Sequence, residues 1–326
     1  MTEEPTSRAA TADLLMPTPM QPIVAEQLAP HFKLHKLWEA TDKNAFFAEH
    51  AGRIRGIATG GAVDAALIDR LPSLEIIASF GVGYDKIDAA HAAKKGVIVT
   101  NTPDVLTDEV ADLTLGLLLA TVRQLPQADR YLRAGHWLEK PFPFSPTLRS
   151  RKIGILGLGR IGKAVAKRCE PFGVEIAYHN RRPQPDVPYR YYDDLVALAR
   201  DVDVLIVVIP GGKETDKLVD ADVLAALGPN GILINVARGT VVDEQALIKA
   251  LVNGTILSAG LDVFEREPQV PAELIALDHV VLLPHVGSAT QHTRDAMGQL
   301  VIDNITSWFA GKGPVTPVAE TPWPKR

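Results

Sequence analysis

The sequence predicts an α/β protein made of two doubly wound parallel-sheet domains. Three observations predict it. The chain has 326 residues, which at about 150 residues per domain suggests roughly two domains. Short apolar runs alternate with helical patterns in two separate segments, about residues 13 to 100 and 151 to 284, as βαβ units do. Runs such as Val204-Leu205-Ile206-Val207-Val208-Ile209 are apolar throughout and rich in β-branched residues, which suits strands buried on both faces of a parallel sheet.

In the first segment the strands are expected at Asp13–Met16, Ile54–Ala58, Ile76–Ser79 and Val97–Thr100. Thr107 can cap a long apolar helix beginning near Asp108, where Asp108 and Glu109 suit the positive end of the helix dipole. Residues 141 to 147 (PFPFSPT) form a proline-rich connection. In the second segment the strands are expected at Ile153–Leu156, Val174–Tyr178, Val204–Ile209, Ile232–Val236, Ser258–Val263 and Val280–Leu283. Ile161, Val165, Cys169 and Phe172 recur at helical spacing, and Gly173 follows as the cap. Asp243 caps a helix carrying Ala246, Leu247, Ala250 and Leu251, which stops near Asn253-Gly254. There is no tandem repeat and no low-complexity stretch.

Composition narrows the function. Apolar residues make up 46 % of the chain and charged residues 22 %, with a net charge of −5, which fits a globular protein and gives no footprint for nucleic acid. Cys169 is the one cysteine, so an intramolecular disulfide and a multi-cysteine zinc site are both excluded. The expected compartment is the reducing cytoplasm. The longest apolar stretch, Val110 to Val122, contains Asp112 and is too short for a membrane span. The N-terminus, Met1 to Ala12, carries Glu3 and Glu4 and reads as a polar, mobile tail rather than a signal peptide. His31 and His35 stand four apart, as a ligand pair on a helix would. No carboxylate pattern supports a metal, so surface histidines are expected. The Leu115–Val122 stripe is expected in the core or at a subunit interface, and Trp137 in the core.

Gly157-Leu158-Gly159-Arg160-Ile161-Gly162 is a G-x-G-x-x-G string that follows one expected strand and opens a helix. In that context it is the dinucleotide fingerprint. The first glycine permits the tight turn, the second lets a pyrophosphate approach the backbone, and the third lets the helix pack on the strand. Backbone N–H groups at the helix start then hold the phosphates. NAD-binding folds place a carboxylate about 20 residues on, to bond the ribose 2′-hydroxyl. Eighteen residues past Gly162 the sequence reads Asn180-Arg181-Arg182. Two guanidiniums there suit a 2′-phosphate, so NADP(H) is the expected cofactor, with NAD(H) as the alternative.

Three residues emerge beyond expected strand ends, where ligands bind in open α/β sheets. Arg238 lies in Asn235-Val236-Ala237-Arg238-Gly239, Glu267 in Phe264-Glu265-Arg266-Glu267-Pro268, and His285 in Leu283-Pro284-His285-Val286-Gly287-Ser288. With hydride from a nicotinamide, an arginine, a carboxylate and a histidine suffice as the protein's share in reducing a 2-keto acid. Taken singly, each could equally be a surface arginine, a solvated glutamate or a packed loop histidine.

Together these motifs, with Gly260-Leu-Asp-Val-Phe264, resemble the D-isomer-specific 2-hydroxyacid dehydrogenase family in order and spacing, from about residue 50 to 318. Phe80-Gly81-Val82-Gly83-Tyr84-Asp85 and Val105-Leu106-Thr107-Asp108-Glu109-Val110-Ala111-Asp112 carry a closer likeness to NADP-dependent glyoxylate/hydroxypyruvate reductases and hydroxyphenylpyruvate reductases. The resemblance implies a Rossmann nucleotide domain over 103–288 and a discontinuous, flavodoxin-like substrate domain over 1–102 and 289–326. It implies Arg238, Glu267 and His285 as the catalytic trio. Arg238 would grip the substrate carboxylate and polarise the keto oxygen. His285 would protonate that oxygen as hydride arrives, and Glu267 would orient the imidazole and favour its charged form.

The N–H groups of Val82 and Gly83 resemble the family's second grip on the substrate carboxylate. The alternative for them is an ordinary glycine turn. Asp262 resembles the residue that meets the nicotinamide carboxamide, with turn capping as its alternative. By the same resemblance Thr107, Ile209, Pro210, Val236, Ala237, Arg238, His285, Gly287 and Ser288 would also line the cofactor. Glu267 argues against the formate dehydrogenase branch, which carries glutamine there. The resemblance also places Trp137 on an arm at the dimer interface, and no C-terminal regulatory domain like that of the longer phosphoglycerate dehydrogenases is expected. The expected protein is an NADPH-dependent reductase of a small 2-keto acid such as glyoxylate or hydroxypyruvate, acting as a homodimer without nucleic acid or membrane. The alternatives are an aryl pyruvate reductase and a nucleotide-sensing binding protein.

Overall fold

Apolar strands and aspartate-capped helices arrange the chain into two units in the computed structural model, which describes residues 12–324. One unit comprises the chain up to Leu106 together with Thr290 onward, and the other is Thr107–Ala289. Of the expected N-terminal tail, residues 1–11 lie outside the described residues, while Ala12 is buried.

The discontinuous unit holds strands β1 (Asp13–Met16), β2 (Lys33–Lys36), β3 (Ile54–Thr59), β4 (Ile76–Ser79) and β5 (Ile98–Thr100) in the order β2-β1-β3-β4-β5. All are parallel, and this is the flavodoxin-like order. Asp42, Asp64 and Asp88 accept N–H bonds from the first turns of the helices that follow them, satisfying donors that a helix start leaves without partners. The long helix Gln291–Phe309 brings Val301, Ile302 and Ile305 into the core formed by Leu14, Val24, Ala58 and Ala78. Beyond it the chain bridges antiparallel to β5 at Thr100 and Pro317, and Val318 N donates to Val99 O at 2.9 Å. This stitching makes the segment around Pro317 and Val318 part of the unit.

The sequence pattern did not reveal β2. Its two lysines flank half-buried Leu34 and buried His35, a charged edge strand of the kind that resists further pairing. The structure also corrects His31 and His35. They share no helix, and only His31 is at the surface. His35 is 7 % exposed on β2, with Nε2 2.7 Å from Asp13 Oδ2.

The second unit holds β6 (Lys152–Leu156), β7 (Glu175–His179), β8 (Arg190–Tyr192), β9 (Val204–Val207), β10 (Ile232–Asn235), β11 (Ser258–Leu261) and β12 (Val281–Leu282). The order is β12-β11-β10-β9-β6-β7-β8. Counted from β6 this is the doubly wound 3-2-1-4-5-6 order with a seventh strand added, and the order reverses between β6 and β9. The edge strand β8 also escaped the sequence pattern, having only three residues. Several strands are shorter than their apolar runs. Val208 and Ile209, for example, leave the ladder and turn into the loop after β9.

The helix Thr107–Arg123 starts at Thr107 itself and packs Leu117, Leu118 and Val122 against Ile155, Ile206 and Ile234. The Leu115–Val122 stripe is therefore core. Trp137 is not, being 64 % exposed. Among the described residues no helix is long and apolar enough to cross a membrane.

Candidate active site

The glycine string occupies the reversal point of the seven-stranded sheet, between β6 and the helix Arg160–Cys169. Gly157 has φ +104°, and a Cβ there would stand 2.6 Å from Ile209 Cγ2 and 2.9 Å from Val208 O. Only glycine fits both the backbone conformation and the approach of the β9 loop. A Cβ on Gly162 would stand 2.1 Å from Gly157 O, so this glycine lets the helix close on the strand. Gly159 differs: it is exposed, and nothing lies within 4 Å of where its Cβ would be. Arg160 is exposed and Ile161 half-buried at the helix start.

The Asn180-Arg181-Arg182 turn follows β7. Asn180 Oδ1 accepts from Leu158 N at 2.7 Å, so the Leu158 N–H is engaged by the protein itself. Asn180 thereby fixes the glycine loop from the neighbouring strand end. Arg181 and Arg182 are exposed, and Arg181 Nη1 lies 3.1 Å from Glu214 Oε2 in the loop after β9. Ile209 and Pro210 begin that loop, and Thr215 Oγ1 donates to Pro210 O at 2.8 Å.

The strand ends of β10, β11 and β12, adjacent in the sheet, bring Arg238, Glu267 and His285 onto one rim. Asn235, 1 % exposed, shapes the first turn: its Oδ1 accepts from Ala237 N and its Nδ2 donates to Arg238 O, both at 3.0 Å. Half-buried Arg238 donates from Nη1 to Ala237 O at 2.7 Å, and Val236 N donates to Val207 O at 3.3 Å. A Cβ on Gly239 would stand 1.8 Å from the Phe264 carbonyl carbon. The Arg238 turn and the Phe264–Glu267 loop thus touch backbone to backbone. Glu267 Oε1 accepts from Phe264 N at 3.1 Å, while Oε2 lies 2.7 Å from His285 Nδ1. An ionised carboxylate can only accept, so Nδ1 is the donor of this pair and Nε2 is the ring nitrogen that Glu267 does not engage. His285 has φ +53°, a left-handed conformation uncommon for residues other than glycine, and its side chain is 46 % exposed.

Asp262 holds that conformation in place. It is 1 % exposed, and Oδ1 and Oδ2 accept from Val286 N and Gly287 N at 2.7 and 2.8 Å. Burial pushes its carboxyl above the ordinary carboxylate range, opposed by those two N–H groups. Its turn-capping alternative is thus visible directly. A Cβ on Gly287 would crowd Asp262 Oδ2 at 3.1 Å. Thr107 and Ser288 are both half-buried in this unit. The sequence pattern missed Glu244. It is 8 % exposed, and its Oε1 accepts from Glu265 N at 3.1 Å, steadying the loop that carries Glu267. Burial is the main cause that raises its carboxyl above the usual range. An acidic residue in the first turn after the Asp243 cap is common for the helix dipole alone, so the sequence carried no signal that set Glu244 apart. Val82 and Gly83 belong to the other unit, in the half-buried loop after β4.

Known proteins resemble this chain over most of its length. The family profile for the D-isomer specific 2-hydroxyacid dehydrogenase NAD binding domain matches residues 115–287. The chain belongs to the D-isomer-specific 2-hydroxyacid dehydrogenase family. A glyoxylate/hydroxypyruvate reductase A of Arabidopsis thaliana is 48 % identical over 308 residues, covering 94 % of this chain and 98 % of that one. A hydroxyphenylpyruvate reductase of Plectranthus scutellarioides is 47 % identical over 307 residues, with the same coverage. Among solved structures of the family, an NADPH-dependent glyoxylate/hydroxypyruvate reductase of Sinorhizobium meliloti, in complex with NADP and malonate, matches with a TM-score of 0.93. It is 51 % identical and covers 97 % of this chain and 99 % of its own.

Proposed function

We propose that this protein reduces small 2-keto acids, glyoxylate and hydroxypyruvate, to D-2-hydroxyacids with NADPH. The observation that carries the proposal is the 2.7 Å contact between His285 Nδ1 and Glu267 on the rim that also bears Arg238. The glycine loop fits a dinucleotide. Gly159 is exposed with open space beside it and opens a helix of 10 residues, so a pyrophosphate would meet N–H groups and no side chain. Within Gly157–Gly162 the N–H groups from Gly159 onward would hold the pyrophosphate, since Gly157 N and Leu158 N donate to His179 O and Asn180 Oδ1, and Arg181 and Arg182 would hold a 2′-phosphate. Thr107, Ile209, Pro210, Val236, Ala237, Asp262, Gly287 and Ser288 would line the rest. NAD(H) is the weaker alternative. On this assignment residues 103–288 form the nucleotide domain and the remainder the substrate domain.

When bound, the reduced nicotinamide supplies hydride. The chain's own residues do the rest. Arg238 pairs with the substrate carboxylate and polarises the keto oxygen. The Val82 and Gly83 N–H groups give the carboxylate a second hold. His285 passes a proton from Nε2 to the keto oxygen while Glu267 holds Nδ1, so the ring stays oriented through the transfer.

Leu125, Leu132, Trp137 and Leu138 are exposed along one segment, which supports a homodimer interface there. Cys169 is buried, with its thiol pushed up to about 11 by burial, and fits a cytoplasmic protein. The near-equal similarity to a hydroxyphenylpyruvate reductase makes aryl pyruvates the second substrate class to test.

The test is kcat/KM for glyoxylate, hydroxypyruvate and hydroxyphenylpyruvate with each cofactor. One guanidinium–phosphate contact contributes about 1.5–3 kcal/mol, so NADPH should be favoured roughly 10- to 150-fold. Replacing Arg181 and Arg182 with alanine should remove most of that preference. Equal efficiency with NADPH and NADH in the unaltered protein would refute the cofactor assignment.

A further inference from the structure

We infer that Asn101 is a positioning residue for substrate: it turns the Gly83 N–H toward the substrate carboxylate by holding the Val82 carbonyl behind it. The inference rests on the keto-acid reading above and names what makes its backbone grip work.

A trans peptide places C=O and the following N–H on opposite sides of one plane, so fixing one direction fixes the other. Asn101 Nδ2 donates to Val82 O at 2.8 Å. That bond sets the Val82–Gly83 plane and with it the Gly83 N–H. Thr102 N donates to Gly81 O at 2.9 Å, which sets the Gly81–Val82 plane and the Val82 N–H. Both carbonyls are thus tied to adjacent residues just past β5, and both N–H groups are turned away from them. Neither N–H donates a hydrogen bond among the described residues. Two successive N–H groups pointing one way form an anion-binding concavity.

Asn101 is itself held from the C-terminal segment. Its N donates to Thr316 O at 3.3 Å and its O accepts from Thr316 Oγ1 at 2.6 Å. Thr316 is in turn clamped by Asn304 on the helix Gln291–Phe309. Asn304 Nδ2 donates to Thr316 Oγ1, and Oδ1 accepts from Val315 N and Thr316 N, all at 2.9 Å. Asn304 is 1 % exposed. The backbone bonds keep Asn101 in place without its side chain, so that side chain can be changed while the strand end stays anchored.

The experiment compares Asn101→Ala, which removes the donor without adding charge, and Asn101→Asp, which keeps the size, with the unaltered protein. KM for glyoxylate and hydroxypyruvate is measured at saturating NADPH, together with malonate inhibition and NADPH binding by fluorescence. The expected result in both variants is a rise of about tenfold or more in keto-acid KM and in the malonate inhibition constant. kcat should stay within about threefold and NADPH affinity within about twofold, since only the carboxylate grip is loosened. Keto-acid KM unchanged in both variants would overturn the inference while leaving the reductase reading intact. So would a parallel loss of NADPH affinity or a collapse of kcat, which marks a general structural role. If the unaltered protein reduces neither keto acid, the reductase reading fails first and the inference with it.

Discussion

Gly159→Ala separates a glycine kept for the fold from one kept for a ligand. At Gly157 and Gly162 an added Cβ would meet backbone oxygen at 2.9 and 2.1 Å, so alanine there must damage the fold whether or not a nucleotide binds. At Gly159 the space is open, and φ −82° with ψ −156° is extended backbone that alanine adopts. Alanine at such a position lowers the entropy of the unfolded chain and stabilises by about 0.4–1 kcal/mol. The thermal midpoint without cofactor should therefore hold or rise by about 1–4 °C. Cofactor binding should respond in the opposite sense, because the methyl occupies the space through which a pyrophosphate reaches the loop N–H groups. Losing one charge-assisted hydrogen bond costs about 1.5–3 kcal/mol, or roughly 10- to 150-fold in NADPH affinity. Thermal melts and a fluorescence titration with NADPH measure both quantities on the same sample. A stable variant with unchanged NADPH affinity would show that this loop does not cradle the phosphates. A destabilised variant would show that the space beside Gly159 is filled by the chain.

Four further outcomes are expected. His285→Ala should lower kcat by about 10²- to 10⁴-fold, the range for loss of a general acid, with NADPH binding retained in a titration. Arg238→Lys keeps the charge but not the planar fork. It should cost about 1.5–3 kcal/mol in kcat/KM for glyoxylate and much less for an aldehyde lacking the carboxylate; equal losses would deny Arg238 the carboxylate role. Gly239→Ala would push a methyl into the Phe264 backbone at 1.8 Å. Separating the Arg238 turn from the Glu267 loop by about 1 Å should lower kcat/KM by about 10²-fold, whereas near-normal turnover would mean that the two loops need not touch. Burial is the main cause that holds the His50 imidazole below its ordinary pKa; Glu49 opposes it, and His35, Arg53 and Lys33 add to it. A folded value below the unfolded one contributes stability that is complete above the ordinary imidazole range and is lost as the pH falls through the folded value. Between pH 7 and 5 the thermal midpoint should therefore fall less in His50→Gln than in the unaltered protein, and parallel curves would refute the assignment.

What the sequence determined by itself were features encoded within a few residues. Buried parallel strands such as Val204–Val207 announce themselves because both faces must be apolar. The aspartate before a helix, as at Asp243, is legible because its carboxylate satisfies N–H groups two or three residues on. The glycine string is legible because its strand–turn–helix context is contiguous. Edge strands were not legible. The outer faces of β2 and β8 carry charge or solvent, so little in Lys33–Lys36 or Arg190–Tyr192 marks them until β1 and β7 offer their backbones.

The tertiary structure alone decided which distant groups meet. Glu267 and His285 are 18 residues apart, and they touch because β11 and β12 end side by side. Asp262 reaches Val286 and Gly287 for the same reason, and this pairing makes a turn cap of a residue for which capping was the alternative to the cofactor contact that the resemblance implied. His35 looked like a surface residue because its partner, Asp13, lies 22 positions away on the neighbouring strand. Asn101 drew no notice at all. Its side-chain amide acquires a role only when the loop after β4 folds back over the end of β5. Local periodicity is set by backbone sterics and travels with the chain, whereas a hydrogen bond between strand ends exists only after the sheet order has chosen the neighbours.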